Sequence, residues 1–276
     1  MRPADHRARP VQPLRLDWRG RCLRAALLLA AGAQSGFADD QIQIIGGSPT
    51  SQWPGIGALV TADGELVCTG ALVGPELVLT AAHCMDSPEF LPAHFLVGPD
   101  SAQPQRAYDV AQIHVHPAYS AATLANDIAL VRLDASASEP LLALRTTPLT
   151  GAVVGTDVRI VGYGRDAAGV TGIKRTAVTQ IDFLDATLLG VGLSGAPQAC
   201  AGDSGGPMIT TATAIPLIHG VSSFGLDANC TTGAFYHRVE TAAVSAFLAG
   251  FDRVCFQNST CSFPVDLVFR DGFEPP

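Results

Sequence analysis

Four short islands of this chain carry side chains that could open an acyl bond. Residues 80–84 (TAAHC) offer His83, residues 126–130 (NDIAL) offer Asp127, and residues 200–207 (CAGDSGGP) offer Ser204, with residues 222–225 (SSFG) following. Acyl transfer needs a nucleophile, a base that works near neutral pH, a group that orients the base, and donors for the developing oxyanion. A serine, a histidine and an aspartate supply the first three. Glycines at 202, 205 and 206 leave room for a turn whose backbone N–H groups face inward at a carbonyl oxygen. Taken singly, each island has a plain explanation. A histidine after an apolar strand usually packs or faces solvent, and an aspartate before isoleucine is often only a turn.

The elements that would hold these groups are strands. After Ile44 the chain is built of short apolar, β-branched runs such as GIGALVT, LVCTGALV, LVLTAAHC, DIALVRLD, DVRIVGYG and PLIHGVSSFG, separated by Gly, Pro, Asp and Ser. Such spacing predicts an all-β sandwich or barrel. Only residues 240–251 (ETAAVSAFLAGF) read as a helix, with apolar residues at 243, 244, 247 and 248 and a glycine near the end. Residues 135–154, rich in Ala, Ser, Pro and Thr, could join two β halves, and the segment from Cys255 reads as an appendage. No internal repeat stands out.

At 276 residues and 47% hydrophobic content, the chain can bury a core without metal. Its charge is uneven. The first 24 residues hold seven Arg and two Asp, which leaves 10 basic and 23 acidic residues beyond them. A body that acidic repels nucleic acid and anionic lipid, so neither is an expected partner. The basic start, the apolar run at 23–33 and the small residues Gly36 and Ala38 predict an export signal over 1–38. The run is too short for a membrane anchor, which needs roughly 20 apolar residues. The leader is long, so the start codon could also lie downstream of Met1. Cys22 would leave with the signal, and the six cysteines that remain suit an oxidising compartment, extracellular or periplasmic. The sequence alone leaves their pairing open, and no spacing of Cys or His suggests zinc.

In this order and spacing, the four islands resemble the trypsin and chymotrypsin family over about residues 44–251. The resemblance implies two packed antiparallel six-stranded β-barrels with a C-terminal helix, His83 and Asp127 on the first barrel and Ser204 on the second. It implies a secreted serine endopeptidase that acts as a monomer on protein or peptide substrates and needs no cofactor or metal. His83 would take the proton of Ser204 while Asp127 holds the imidazole, and the N–H groups of Gly202 and Ser204 would form the oxyanion hole. Ser223 would support Asp127, and Ser223, Phe224 and Gly225 would pair with substrate. The family also implies the disulfides Cys68–Cys84 and Cys200–Cys230, leaving Cys255 with Cys261. Fewer cysteines than animal members carry suggests a leaner, bacterial-type relative.

The island IIGG at 44–47 also resembles the family's mature amino terminus, and the resemblance implies a zymogen in which removal of residues 39–43 frees the Ile44 amino group to pair with Asp203. The domain would then run over 44–254, with a tail at 255–276. Gln43 is not the Arg or Lys usual before that cut, so the activating protease is unknown. Gln198 stands where trypsin-like members carry a pocket aspartate, and an Arg or Lys there would lack a counter-charge. Uncharged residues before the cut bond are therefore expected, unless Gln198 points elsewhere. Gly225 would leave one pocket wall open, and Gly233 or Ala234 would line another.

Other readings compete. Gly202–Gly206 also fits the GxSxG pattern of α/β esterases, for which Ser204, Asp227 and His237 lie in a suitable order, but the chain lacks alternating helices. A catalytically silent relative that binds a partner would be marked by a lost triad member, and none is lost. His114 and His116 would share a strand face and could hold a metal, although HVHPAY also resembles a structural segment of the family. Residues 258–260 form a glycosylation sequon.

Overall fold

The computed structural model describes residues 44–211, 215–259 and 261, all within the compact unit Asp40–Pro276. The expected export signal, the segment 39–43 and the end of the tail lie outside the described residues.

Fourteen strands and one α-helix occur among the described residues. They are β1 (Ser48–Pro49), β2 (Ile56–Val60), β3 (Leu66–Gly74), β4 (Leu77–Thr80), β5 (His94–Val97), β6 (Arg106–Val115), β7 (Ala129–Leu133), β8 (Ala143–Leu144), β9 (Asp157–Gly162), β10 (Arg175–Leu184), β11 (Leu188–Val191), β12 (Pro207–Thr210), β13 (Leu217–Gly225), β14 (Ala234–Arg238) and α1 (Ala242–Leu248). Strands β2-β3-β4-β7-β6-β5 close into one antiparallel barrel. A second six-stranded ring, β9-β10-β11-β14-β13-β12, is closed because β9 pairs with both β10 and β12. β1 adds to the edge of β10, and β8 runs parallel to β13. The chain passes from one barrel to the other between β7 and β9, through the segment composition singled out.

The alternation in the strands explains which face is inside. Along β10, Arg175, Ala177, Thr179 and Ile181 are buried while Val178, Gln180 and Phe183 face outward, the period of two that a half-buried strand requires. β3 is buried along nearly its whole length, because one face fills the first barrel and the other meets the second. Tyr163 sits at that junction: it is fully buried, and its hydroxyl donates to the carbonyls of Gly98 at 2.5 Å and Ile56 at 3.2 Å. Helix α1 is shorter than the pattern over 240–251 suggests, and it lies on the first barrel. His114 and His116 contact Phe251 and Phe247 there, each at 5.0 Å between ring centres. Packing continues past residue 254, since Cys255 is buried and Gln257 N–H donates to the carbonyl of Leu144.

Candidate active site

His83 lies on the 3-10 turn Ala82–Met85 that follows β4. Two anchors hold that turn. The Thr80 hydroxyl donates to the Thr69 carbonyl at 2.9 Å, and a disulfide joins Cys84 to Cys68 on β3. Asp127, fully buried, precedes β7 and is presented by Asn126 at φ 53°, a left-handed conformation that asparagine tolerates better than most residues. The His83 backbone N–H donates to Asp127 Oδ1 at 2.8 Å, and Nδ1 lies 2.8 Å from Oδ2. A carboxylate only accepts, so Nδ1 carries the proton and Nε2 keeps its lone pair. The Ser223 hydroxyl donates to Oδ2 at 2.5 Å. Burial works to raise the Asp127 carboxyl, but the bonds from His83 and Ser223 outweigh it and hold the group below the ordinary range.

Ser204 sits in a turn where almost every backbone group is assigned. Asp203 N–H donates to the Cys200 carbonyl, Gly205 N–H to that of Ser222, and Gly206 N–H to that of Asp203. Thr69 on the first barrel clamps the same turn from across the cleft, its N–H donating to the Ser204 carbonyl at 2.8 Å and its hydroxyl to the Gly202 carbonyl at 2.9 Å. The N–H groups of Gly202 and Ser204 take no protein acceptor among the described residues. Two backbone donors of the nucleophile turn are thus left over. Gly202 has φ +93°, and a Cβ there would come within 2.9 Å of Gly164 Cα and of Leu66 Cδ2. Thr69 and Gly164 were not singled out by the sequence, because their parts depend on contacts across the barrel junction.

Asp203 is buried beneath this turn. Its carboxylate accepts from Gly164 N–H at 2.7 Å and Cys200 N–H at 2.9 Å. Cβ atoms at Gly162 or Gly164 would collide with it. Burial pushes the carboxyl up to about 6, against the opposing pull of those N–H donors and of Arg175. The Ile44 side chain is buried in the second core, and the Ile45 carbonyl accepts from Gln198 N–H at 3.1 Å. In the intact chain the Ile44 nitrogen is a peptide nitrogen and carries no charge.

A cavity of about 200 Å3 opens beside Ser204, lined by Ala199, Ala201, Phe224, Gly225, Ala234 and the Cys200–Cys230 disulfide among others. Gln198 is not on its wall. The side chain is buried with Oε1 accepting from Gly233 N–H at 2.5 Å. Asp227 is the one carboxylate on the lining among the described residues. Its oxygens accept from the N–H groups of Asn229, Thr231 and Thr232 and from both threonine hydroxyls, and the Thr232 hydroxyl foremost among these pulls its carboxyl down to about 2. A second cavity, about 250 Å3, is shared by Ser204 and His83 with Leu66, Val67, Ser87 and Phe90. Ser204 lines both cavities.

The remaining candidates fall elsewhere. Cys255 is joined to Cys261. Both His116 ring nitrogens lie near backbone groups, Nδ1 accepting from Ala118 N–H and Nε2 facing the Ala243 carbonyl, so His116 has structural partners in place of an ion. Cys68, His83 and Cys84 lie close enough to suggest a metal set, but the two sulfurs are spent in the disulfide. His237 is buried on β14 with burial lowering its proton affinity, and the all-β architecture removes the scaffold on which Ser204, Asp227 and His237 would act as an esterase.

A family model described as Trypsin matches residues 44–245. Brachyurin of Leptuca pugilator is 31% identical over 211 residues, covering 69% of this chain and 90% of that protein. Chymotrypsin-like elastase family member 1 of Macaca fascicularis is 27% identical, covering 75% and 88%, and a trypsin of Saccharopolyspora erythraea is 29% identical, covering 61% and 79%. Among solved structures, human heparin binding protein superposes with TM-score 0.61 at 22% identity over 75% of this chain and 95% of that one. Neuropsin, a serine protease of mouse brain, gives 0.57 at 25% identity over 70% and 94%.

Proposed function

The chain belongs to the trypsin family of serine proteases, and we propose that it is itself an active, secreted, monomeric endopeptidase that cleaves after uncharged residues. The observation that supports this is a shared cavity lined by His83 and Ser204, with the imidazole Nδ1 committed to Asp127 and the N–H groups of Gly202 and Ser204 without a protein acceptor among the described residues. Ser204 Oγ attacks the carbonyl carbon while His83 Nε2 takes its proton. The oxyanion settles between the N–H groups of Gly202 and Ser204, and Asp127 stabilises the imidazolium without becoming protonated. The imidazolium then protonates the leaving amine, and a water deprotonated by the same nitrogen hydrolyses the acyl-enzyme. A catalytically silent role as a binding protein is the competing reading, and the presence of His83, Asp127 and Ser204 in the sequence weighs against it. The heparin-binding neighbour speaks for fold alone, and the acidic body of this chain opposes polyanions.

The preference for uncharged residues rests on the pocket. Its wall is mainly apolar, Gln198 is engaged with Gly233, and the oxygens of Asp227 are held by its own turn. A guanidinium placed there would lose water without gaining a free carboxylate. Maturation would cut after Gln43 by an unknown protease, giving an Ile44 ammonium to pair with Asp203. Three disulfides support an oxidising compartment. The relatives named above come from animals and from Saccharopolyspora erythraea, and a bacterial-type source is supported by the reduced cysteine set.

Profiling a peptide library with the mature enzyme tests the reading. Neutral residues should dominate before the cut bond, and Ser204→Ala should lose roughly a million-fold in kcat. A profile dominated by Arg or Lys would overturn the pocket assignment. More than a few per cent of residual activity in Ser204→Ala would overturn the nucleophile.

A further inference from the structure

Residues 226–232, in the connection from β13 to β14, supply one wall of the cavity beside Ser204, through Asp227, Ala228 and Cys230. This wall has no core beneath it. Leu226 is 54% exposed, Ala228, Asn229, Thr231 and Thr232 are exposed as well, and Cys230 is the buried residue of the set. Its shape comes from within. Asp227 accepts from the N–H groups of Asn229, Thr231 and Thr232, and Cys230 N–H donates to the Asp227 carbonyl. Such a turn keeps its own form, while its position depends on what ties it to the rest of the molecule. Beyond the flanking strands, two ties reach it among the described residues: the disulfide Cys200–Cys230 and a hydrogen bond from Arg165. A single covalent point fixes a place and leaves the orientation open. Cys230 also stands at φ 57°, a left-handed conformation that costs energy for a residue other than glycine, so the turn is held there against its own preference.

Arg165 is placed to supply the second tie. Its backbone stands on the nucleophile turn: Arg165 N–H donates to the Ala201 carbonyl at 2.7 Å, and the adjacent Gly164 N–H donates to the Asp203 carboxylate at 2.7 Å. From that footing the guanidinium passes the Cys200 sulfur at 3.7 Å and donates to the Ala228 carbonyl at 2.6 Å. The side chain is half-buried and joins no ion pair among the described residues. Its charge is therefore spent on that carbonyl, and a bond from a charged donor is stronger than one between neutral groups. We propose that Arg165 is a positioning residue that sets the width of the specificity cavity, latching the wall at Ala228 to the turn that carries Ser204. The proposal rests on the endopeptidase reading above and names a residue that tunes side-chain selection at the same site. A substrate side chain large enough to touch both walls gains from a fixed width. A small one does not span the cavity and is indifferent to it.

The test pairs Arg165→Met, which keeps an unbranched stem and loses the donors, with Arg165→Lys, which keeps one cationic donor. Hydrogen–deuterium exchange on the full chain reads the latch without any activity. Amides of residues 226–232 should exchange roughly five- to tenfold faster in Arg165→Met, as the loss of one charge-assisted bond implies, with both barrels unchanged and Arg165→Lys close to the wild type. On peptides that differ only in the residue before the cut bond, the mature Arg165→Met enzyme should show KM raised about five- to tenfold for Phe or Leu and changed less than about twofold for Ala, with kcat unchanged. Arg165→Lys should restore most of the discrimination. Unchanged exchange at 226–232, an equal rise across the barrels, or an equal loss for large and small residues would each overturn the latch. If the wild-type protein cleaves no peptide at all, the protease reading fails, and exchange alone then decides the latch: faster exchange confined to 226–232 supports it, and unchanged exchange overturns it.

Discussion

At Gly202 the lack of a side chain decides where the N–H proposed as an oxyanion donor can point. With φ at +93° and backbone of Gly164 2.9 Å from any Cβ, alanine must move the peptide that carries the N–H. Gly202→Ala should therefore lower kcat roughly a hundred- to a thousandfold with little change in KM, because the donor acts mainly on the transition state. Steady-state kinetics on one neutral peptide would show it, and a variant with unchanged kcat would mean that this N–H is not an oxyanion donor. The residues with chemistry of their own were legible because His83, Asp127 and Ser204 each stand in a distinctive local string. Thr69 was not. Its hydroxyl and N–H hold the Gly202 and Ser204 carbonyls across a sequence separation of 133 residues or more, and nothing local distinguishes it from any strand threonine. Gln198 was legible as a position but not as a direction, since its turn toward Gly233 depends on a strand 35 residues away.

Among the elements, strand type and order followed from the short β-branched runs, and the barrel pairings did not. Closure of the second ring depends on β9 meeting both β10 and β12, a non-local choice that alternation cannot specify. Helix α1 covers 242–248 within a pattern running over 240–251, because residues beyond Leu248 leave the helix to set Phe251 against His114. The three disulfides pin elements of different importance. Cys200–Cys230 closes 30 residues, Cys68–Cys84 closes 16 and Cys255–Cys261 closes 6. Loop-closure entropy makes the first two worth about 3–4 kcal/mol each and the last about 2. Replacing each pair by alanine and measuring urea unfolding should give that order. Loss of Cys68–Cys84 should also lower kcat by releasing the His83 turn, whereas loss of Cys255–Cys261 should leave kcat unchanged; the reverse pattern would contradict the anchoring role given to the histidine-loop disulfide.

For the whole molecule, the proposed pairing of an Ile44 ammonium with the buried Asp203 carboxylate would link cleavage at the amino terminus to the nucleophile turn. In the intact chain its carboxyl is raised to about 6 by burial, so between about pH 4 and 6 the folded protein holds a proton that the unfolded chain has released. Stability present below pH 4 is then lost as pH rises through 6, on the order of 3 kcal/mol. An ammonium at Ile44 would favour the charged carboxylate and remove that loss. Urea midpoints of the uncleaved Ser204→Ala protein should fall across this window, and the added Asp203→Asn change should abolish that part of the fall. Identical pH dependence in the two proteins would contradict the account of Asp203. The central claim, that His83 activates Ser204 as a nucleophile, is tested most directly by treating protein that begins at Ile44 with a fluorophosphonate and locating the adduct by mass spectrometry. One adduct on Ser204, absent in His83→Ala, is the predicted result; no adduct, or an adduct on another residue, would contradict it.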